Sequence, residues 1–140
     1  MMDPKLKAAI QRMVQQEPFA RTLNLELIFL EEGHSIIEMD YEPGVMANIY
    51  GRTHGGAIYA LIDEAFETAG QTNGTIAVAL NVSVTYIASP QDRERLRAEA
   101  KEICQTKKTA TYEIKVTQSD GRLIATCQAL AYRTDKPIPL

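Results

Sequence analysis

From His54 to about Gly70 the apolar residues Ile58, Leu61, Ile62, Ala65, Phe66 and Ala69 recur at spacings of three and four, the period of one face of an α-helix. So apolar a stripe belongs at the centre of a domain, and the segments around it read as strands. Leu23 to Leu30 alternates Leu23, Leu25, Leu27 and Phe29, and Ser35 to Tyr41 follows the turn Glu32-Gly33-His34, which together predict a hairpin. Gly70 or Gly74 ends the helix. Beyond it, Thr75 to Ala88 is rich in β-branched residues and long enough to need a bend or bulge. Ser89-Pro90-Gln91-Asp92 reads as a turn. Thr109 to Gln118 sets Tyr112, Ile114 and Val116 against Thr111, Glu113 and Lys115, and the turn Ser119-Asp120-Gly121-Arg122 leads into a last strand, Leu123 to Arg133. Arg95 to Cys104 is ambiguous: its Ala, Glu, Lys and Leu content favours helix, and only its place between strand signals argues for strand.

One buried helix, preceded by a hairpin and followed by three or four antiparallel strands, has a natural packing solution. The sheet curls around the helix in an α+β arrangement. Such a sheet leaves edge strands open and the helix partly covered, so pairing with a second copy is expected, at least as a dimer. Residues 1–18 predict an N-terminal helix. Asp3 caps it, Pro4 suits its first position, Leu6, Ile10, Met13 and Val14 form its stripe, and Pro18 sets its limit. Residues 135–140 read as a flexible tail. With 45% hydrophobic residues in 140 and no repeat or linker, residues 1–140 form a single domain.

Several classes of function are excluded. A net charge of −3 argues against nucleic acid held by a broad basic face. Asp3, Lys5, Lys7 and Arg12 interrupt any apolar run near the start, so neither a signal peptide nor a membrane span is expected, and the expected location is cytoplasmic. Cys104 and Cys127 fall in strand-like segments outside any C-x-x-C pattern and read as reduced core thiols. His34 and His54, the two histidines, are not at helical i, i+4 spacing, so no histidine-built metal site is expected. There is no nucleophile elbow, P-loop or dinucleotide fingerprint, and no cofactor is expected.

The chemistry concentrates where the loop Asn48-Ile-Tyr-Gly51-Arg-Thr-His54-Gly55-Gly56 opens the central helix. Backbone N–H groups at a helix start are unpaired and attract negative charge, and Gly55 and Gly56 let a carbonyl approach them. Asp63 sits two turns further on, bordering the apolar face with Tyr59 and Glu67. A carboxylate in that place supplies a base or a nucleophile, and the combination reads as an acyl-transfer site. His54 reads as support for the loop, and Asn48 as a residue that orients a carbonyl or water or serves the turn. Glu64 and Glu67 read as solvated or subunit-contacting acids, with Glu67 a weak candidate for positioning water.

The spaced pattern Asn48, Gly51, His54-Gly55-Gly56, Leu61, Asp63, Ala65 resembles the signature of the hotdog-fold acyl-CoA thioesterases, and is most similar to the phenylacetate-pathway (PaaI-like) branch. Thr85 to Pro90, Gln105 to Thr109 and Asp120 to Ala125 resemble later segments of that family, so the likeness covers about residues 20–134. The resemblance implies a homodimer, or a dimer of dimers, whose sheets join. It implies that Asp63 is the catalytic carboxylate, that Gly55 N–H binds the thioester oxygen beside Gly56, that Asn48 holds thioester or water, and that His54 supports the loop. Asn48 and Asp63 would come from different subunits. Arg93, Arg95, Lys107 and Lys108 are candidates for the coenzyme A nucleotide, and Tyr59, Ile62 and Phe66 for the acyl pocket. Some relatives orient water with Ser or Thr where this chain has Ala79; Asn81, Ser83 and Thr68 are the substitutes. A non-catalytic acyl-CoA-binding module is the alternative. A dehydratase on the same fold lacks its expected His-Phe-Pro loop here.

Overall fold

A computed structural model describes residues 1–91 and 93–140; the Asp92 end of the expected Ser89–Asp92 turn lies outside the described residues. In chain order the elements are α1 (Pro4–Gln16), α2 (Pro18–Thr22), β1 (Glu26–Glu31), β2 (His34–Asp40), α3 (Pro43–Met46), α4 (Gly55–Gly70), β3 (Thr75–Tyr86), β4 (Arg95–Gln105), β5 (Thr109–Gln118) and β6 (Leu123–Pro137). The strands form one antiparallel sheet in the order β1-β2-β4-β5-β6-β3. It wraps α4, whose Leu61, Ile62, Ala65 and Ala69 are fully buried against Ile37, Leu96, Ile114 and Val116 from the strands. Each fully buried Leu or Ile adds about 1.5–3 kcal/mol, so the helix is held by its stripe far more than by its propensity. Among the described residues no helix is long and apolar enough to cross a membrane.

Polar contacts fix where α4 lies. The Ser35 hydroxyl of β2 donates to the Ala65 carbonyl (2.6 Å). Gln71, at the helix end, both donates to the Ala77 carbonyl (3.1 Å) and accepts from the Ala77 N–H (3.0 Å), tying α4 to edge strand β3.

One open reading is resolved and four expectations are corrected. Arg95 to Gln105 is a strand, because tertiary pairing outweighs local helix propensity: Leu96, Ala98 and Ala100 are fully buried on one face, while Arg95, Arg97, Glu99 and Lys101 line the other in ion pairs. In β1 a register shift between Leu27 and Phe29 reverses the alternation, so Leu30 is buried and Phe29 is exposed. A similar shift between Glu102 and Cys104 leaves Cys104 at the surface while Cys127 is buried. The tail beyond residue 134 is anchored: β6 runs to Pro137, and Ile138 donates its N–H to the Gly74 carbonyl (2.9 Å) and packs with Met2, Leu6, Ile10, Val14 and Leu30 in a second small core. At the other end α1 stops at Gln16, and Pro18 begins the separate helix α2.

Candidate active site

The loop before α4 is organised around two side chains. Asn48 Oδ1 accepts from the N–H groups of Tyr50 (2.9 Å) and Arg52 (3.0 Å), closing a turn in which Gly51 takes a positive φ of 73°. Only its Nδ2 donors remain to meet a ligand. His54 caps α4: its Nδ1 accepts from the Gly56 N–H (2.8 Å), a tautomer assigned from that bond. A Cβ on Gly56 would lie 3.0 Å from His54 Nδ1, so this glycine makes room for the cap. Gly55 N–H, one residue earlier, meets no acceptor among the described residues. Its carbonyl accepts from the Tyr86 hydroxyl at the end of β3 (3.1 Å), which holds the peptide from below. The loop thus presents one free backbone donor at the positive end of α4.

Asp63 reaches the surface on the side of α4 that faces β3. Loss of water contact, and then the charge of Glu17, raises its carboxyl above the ordinary range. Tyr59 lies one turn back; burial and then Asp63 raise its phenol. Cys127, on β6, is pushed up to about 11, first by burial; a thiol held protonated is no nucleophile. Asp63 borders a cavity of about 270 Å³ with Phe66, Glu67, Ala77, Val78 and Ala79. An apolar cavity of about 530 Å³ beneath α1 adjoins it, sharing Glu67, Gln71, Ala77 and Val78.

Glu64 is 3% exposed, so the reading of it as solvated is corrected; Glu67 does reach solvent. The carboxylates of Glu17, Glu64 and Glu67 lie within 4.8 Å of one another, the one metal-capable group of three side chains among the described residues. Burial and mutual repulsion raise Glu64 and Glu67. Glu17 joins α1 to α2, far from α4 in sequence, and no motif announces its place here. Tyr86 was visible only as part of the family-like segment after the helix.

The remaining candidates are dispersed. Phe66 borders the Asp63 cavity, whereas Ile62 is fully buried in the core. Val82 and Val84 pack towards the core, so strand alternation puts Asn81 and Ser83 on the opposite face, away from Asp63 of the same chain. Thr68 is buried, its hydroxyl donating to the Glu64 carbonyl (2.9 Å), so it is not available to water. Arg95 is committed to Glu26, Glu38 and Asp40 across the sheet. Arg93, exposed with φ of 60°, adjoins Glu94, whose carbonyl meets Tyr41 at the entrance to the Asn48 loop. Lys107 and Lys108 lie at the other end of α4, where the Lys108 carbonyl accepts from Arg133 N–H (2.7 Å) and Arg133 pairs with Ala77.

At a rise of about 1.5 Å per residue, Gly55 and Asp63 stand about 12 Å apart along α4. A carbonyl bound by one and attacked with help from the other needs both within about 3 Å of the reacting atoms. One chain does not provide that.

A family model described as the thioesterase superfamily matches residues 50–125. A putative esterase of Archaeoglobus fulgidus is 34% identical over 127 residues, covering 91% of this chain and 82% of the relative. The acyl-coenzyme A thioesterase PaaI of Escherichia coli is 26% identical over 121 residues, 86% of each chain. The solved structure of the E. coli PaaI protein from the phenylacetic acid degradation operon superposes with a TM-score of 0.92 at 24% identity, over 99% of this chain and all (100%) of that one. A hypothetical thioesterase protein from Streptococcus pneumoniae, solved with coenzyme A, superposes with a TM-score of 0.82 at 20% identity, over 90% of this chain and 99% of that one. The two structural likenesses show the hotdog fold.

Proposed function

The chain belongs to the thioesterase superfamily, and from that premise we propose that it hydrolyses an acyl-CoA thioester to a free acid and coenzyme A at sites shared between the two copies of a homodimer. The observation that carries this reading is the Gly55 N–H, unpartnered at the start of α4 while its neighbour Gly56 is taken by His54. That donor binds the thioester oxygen and stabilises the charge that develops on it. Asp63 of the other copy takes a proton from water as the oxygen attacks the carbonyl carbon, or attacks that carbon itself to form a mixed anhydride that water then hydrolyses to the acid. On either route the carbon–sulfur bond breaks, and the departing thiolate of coenzyme A is protonated. The raised carboxyl of Asp63 suits a base that must also give its proton back. Asn48 Nδ2 holds the substrate carbonyl or the water.

In the cavity beside Asp63, Phe66, Ala77, Val78 and Ala79 give an acyl or aryl group an apolar wall. The coenzyme A-bound hypothetical thioesterase of S. pneumoniae supports that thiol carrier. In an antiparallel pairing, Lys107 and Lys108 of one copy approach the Gly55 end of the other, which favours them, with Arg93, for the nucleotide phosphates. Release of thiol from short, medium and aryl acyl-CoAs tests the activity. Asp63→Asn is expected to lower kcat by about 10²–10⁴-fold; full activity in that variant sinks the assignment.

One observation favours a second reading, an acyl-CoA-binding protein without turnover. Ala79 puts only a methyl group on the Asp63 cavity, and Thr68 is committed to backbone, so neither supplies a hydroxyl to orient water. Ligand binding in calorimetry with no thiol release from any substrate would establish it.

A further inference from the structure

Three carboxylates converge beside Asp63 with no cation to answer them. Glu17, Glu64 and Glu67 lie within 4.8 Å of one another, and among the described residues no Lys, Arg or His bonds to any of them. Glu64 is 3% exposed, and its Oε1 is buried without a hydrogen-bond partner. A buried acceptor left empty is costly, and within one chain only a proton shared among the three acids can meet it. A complementary group stands on the same molecule. Arg52 is exposed in the Asn48 loop and makes no ion pair among the described residues, between Ile49 and Tyr50, which are 90% and 81% exposed, and the His54 cap. Within one chain it lies at the opposite end of α4 from Glu67. The two-fold pairing that brings Gly55 to Asp63 changes this, and the inference rests on that reading. Antiparallel α4 helices then cross about Tyr59, midway between Gly55 and Asp63, so that the loop before α4 of one copy, which carries Arg52, approaches the Asp63–Glu67 turn of the other.

We propose that Glu17, Glu64 and Glu67 are the receptor for Arg52 of the partner subunit. The planar guanidinium suits several carboxylates at once, with five N–H donors fixed in a fork. Its insertion joins the α1–α2 arm, the central helix and the partner's loop next to the reacting groups. Arg52 acts here as a positioning residue, since it seats the loop that carries Asn48 and Gly55.

A double-mutant cycle on assembly tests this. The dimer dissociation constant is measured by sedimentation for the wild-type chain, Arg52→Ala, Glu64→Gln and the two together. Each single change is expected to weaken the dimer at least tenfold, with the pair no worse than the weaker single. Arg52→Glu is expected to weaken it further, and Arg52→Glu with Glu67→Arg to regain at least tenfold. Additive losses, or a dimer indifferent to these substitutions, overturn the proposal while leaving the dimeric site intact. Saturable binding of Ca²⁺ or Mg²⁺ to the wild-type dimer, abolished in Glu64→Gln, would name a metal cation as the occupant and overturn it too. A wild-type chain that stays monomeric at every concentration would sink the proposal together with the shared site.

Discussion

At the level of single residues, the division of labour between Gly55 and Gly56 gives the sharpest test. The two glycines are equivalent in sequence, and only the structure separates them: Gly56 spends its N–H on His54, and Gly55 keeps its own. Proline is well tolerated at the first position of a helix, and His54, with φ −65° and ψ 134°, already has the backbone that a residue before proline adopts. Gly55→Pro therefore removes the donor while sparing the helix. It is expected to lower kcat by about 10²–10³-fold with little change in melting temperature. Gly55→Ala keeps the donor, and its Cβ meets the Tyr86 ring at 3.4 Å, so it is expected to retain most activity. A fully active proline variant would remove Gly55 from the mechanism. The Asn48-to-Asp63 pattern was legible because a loop-to-helix transition is local. Glu17 and Tyr86 were not, because they reach the site through tertiary packing.

At the level of elements, α4 and β5 were readable because each keeps one period along its length: Gly55–Gly70 buries a helical stripe, and Thr109–Gln118 alternates throughout. β1 and β4 show what periodicity misses. A bulge after Leu27 changes which β1 side chains face inward, and β4 is made a strand by the ladders on both its sides, against its helix-forming composition. The C-terminal segment shows the same dependence on partners. Pro137-Ile138-Pro139 has no repeating pattern to detect, yet Ile138 is 5% exposed in the small core that α1 closes. Ile138→Ala is expected to cost about 2 kcal/mol, the lower end for emptying a buried aliphatic site. Urea unfolding measures this, and an unchanged midpoint would mean that the segment frays. Thiol-release activity should persist unless α1 loosens far enough to disturb Glu17.

At the level of the whole molecule, a carboxylate cluster that receives Arg52 of the partner subunit would make folding and assembly respond to pH in opposite directions. In the isolated chain, Glu64 and Glu67 are raised, first by burial and then by neighbouring acids that include Glu17 and, for Glu67, Asp63. The folded chain then binds more protons than the unfolded one above the ordinary glutamate value of 4.5. Their contribution to stability is fully present below that pH and is lost as pH rises towards the raised values. A guanidinium inserted from the partner reverses the preference, because it favours the ionised carboxylates. Dimerisation then releases protons, and the dimer tightens as pH rises through the same window. Sedimentation between the ordinary glutamate value of 4.5 and the raised value of Glu64, about 9, should show the dissociation constant falling by up to about tenfold per pH unit for each proton released. The slope should shrink in Glu64→Gln and vanish in Arg52→Ala. A dimer that weakens as pH rises would mean that the acids meet no cation at the interface, and the loop carrying Asn48 and Gly55 would have to be held there by its exposed Ile49 and Tyr50 alone.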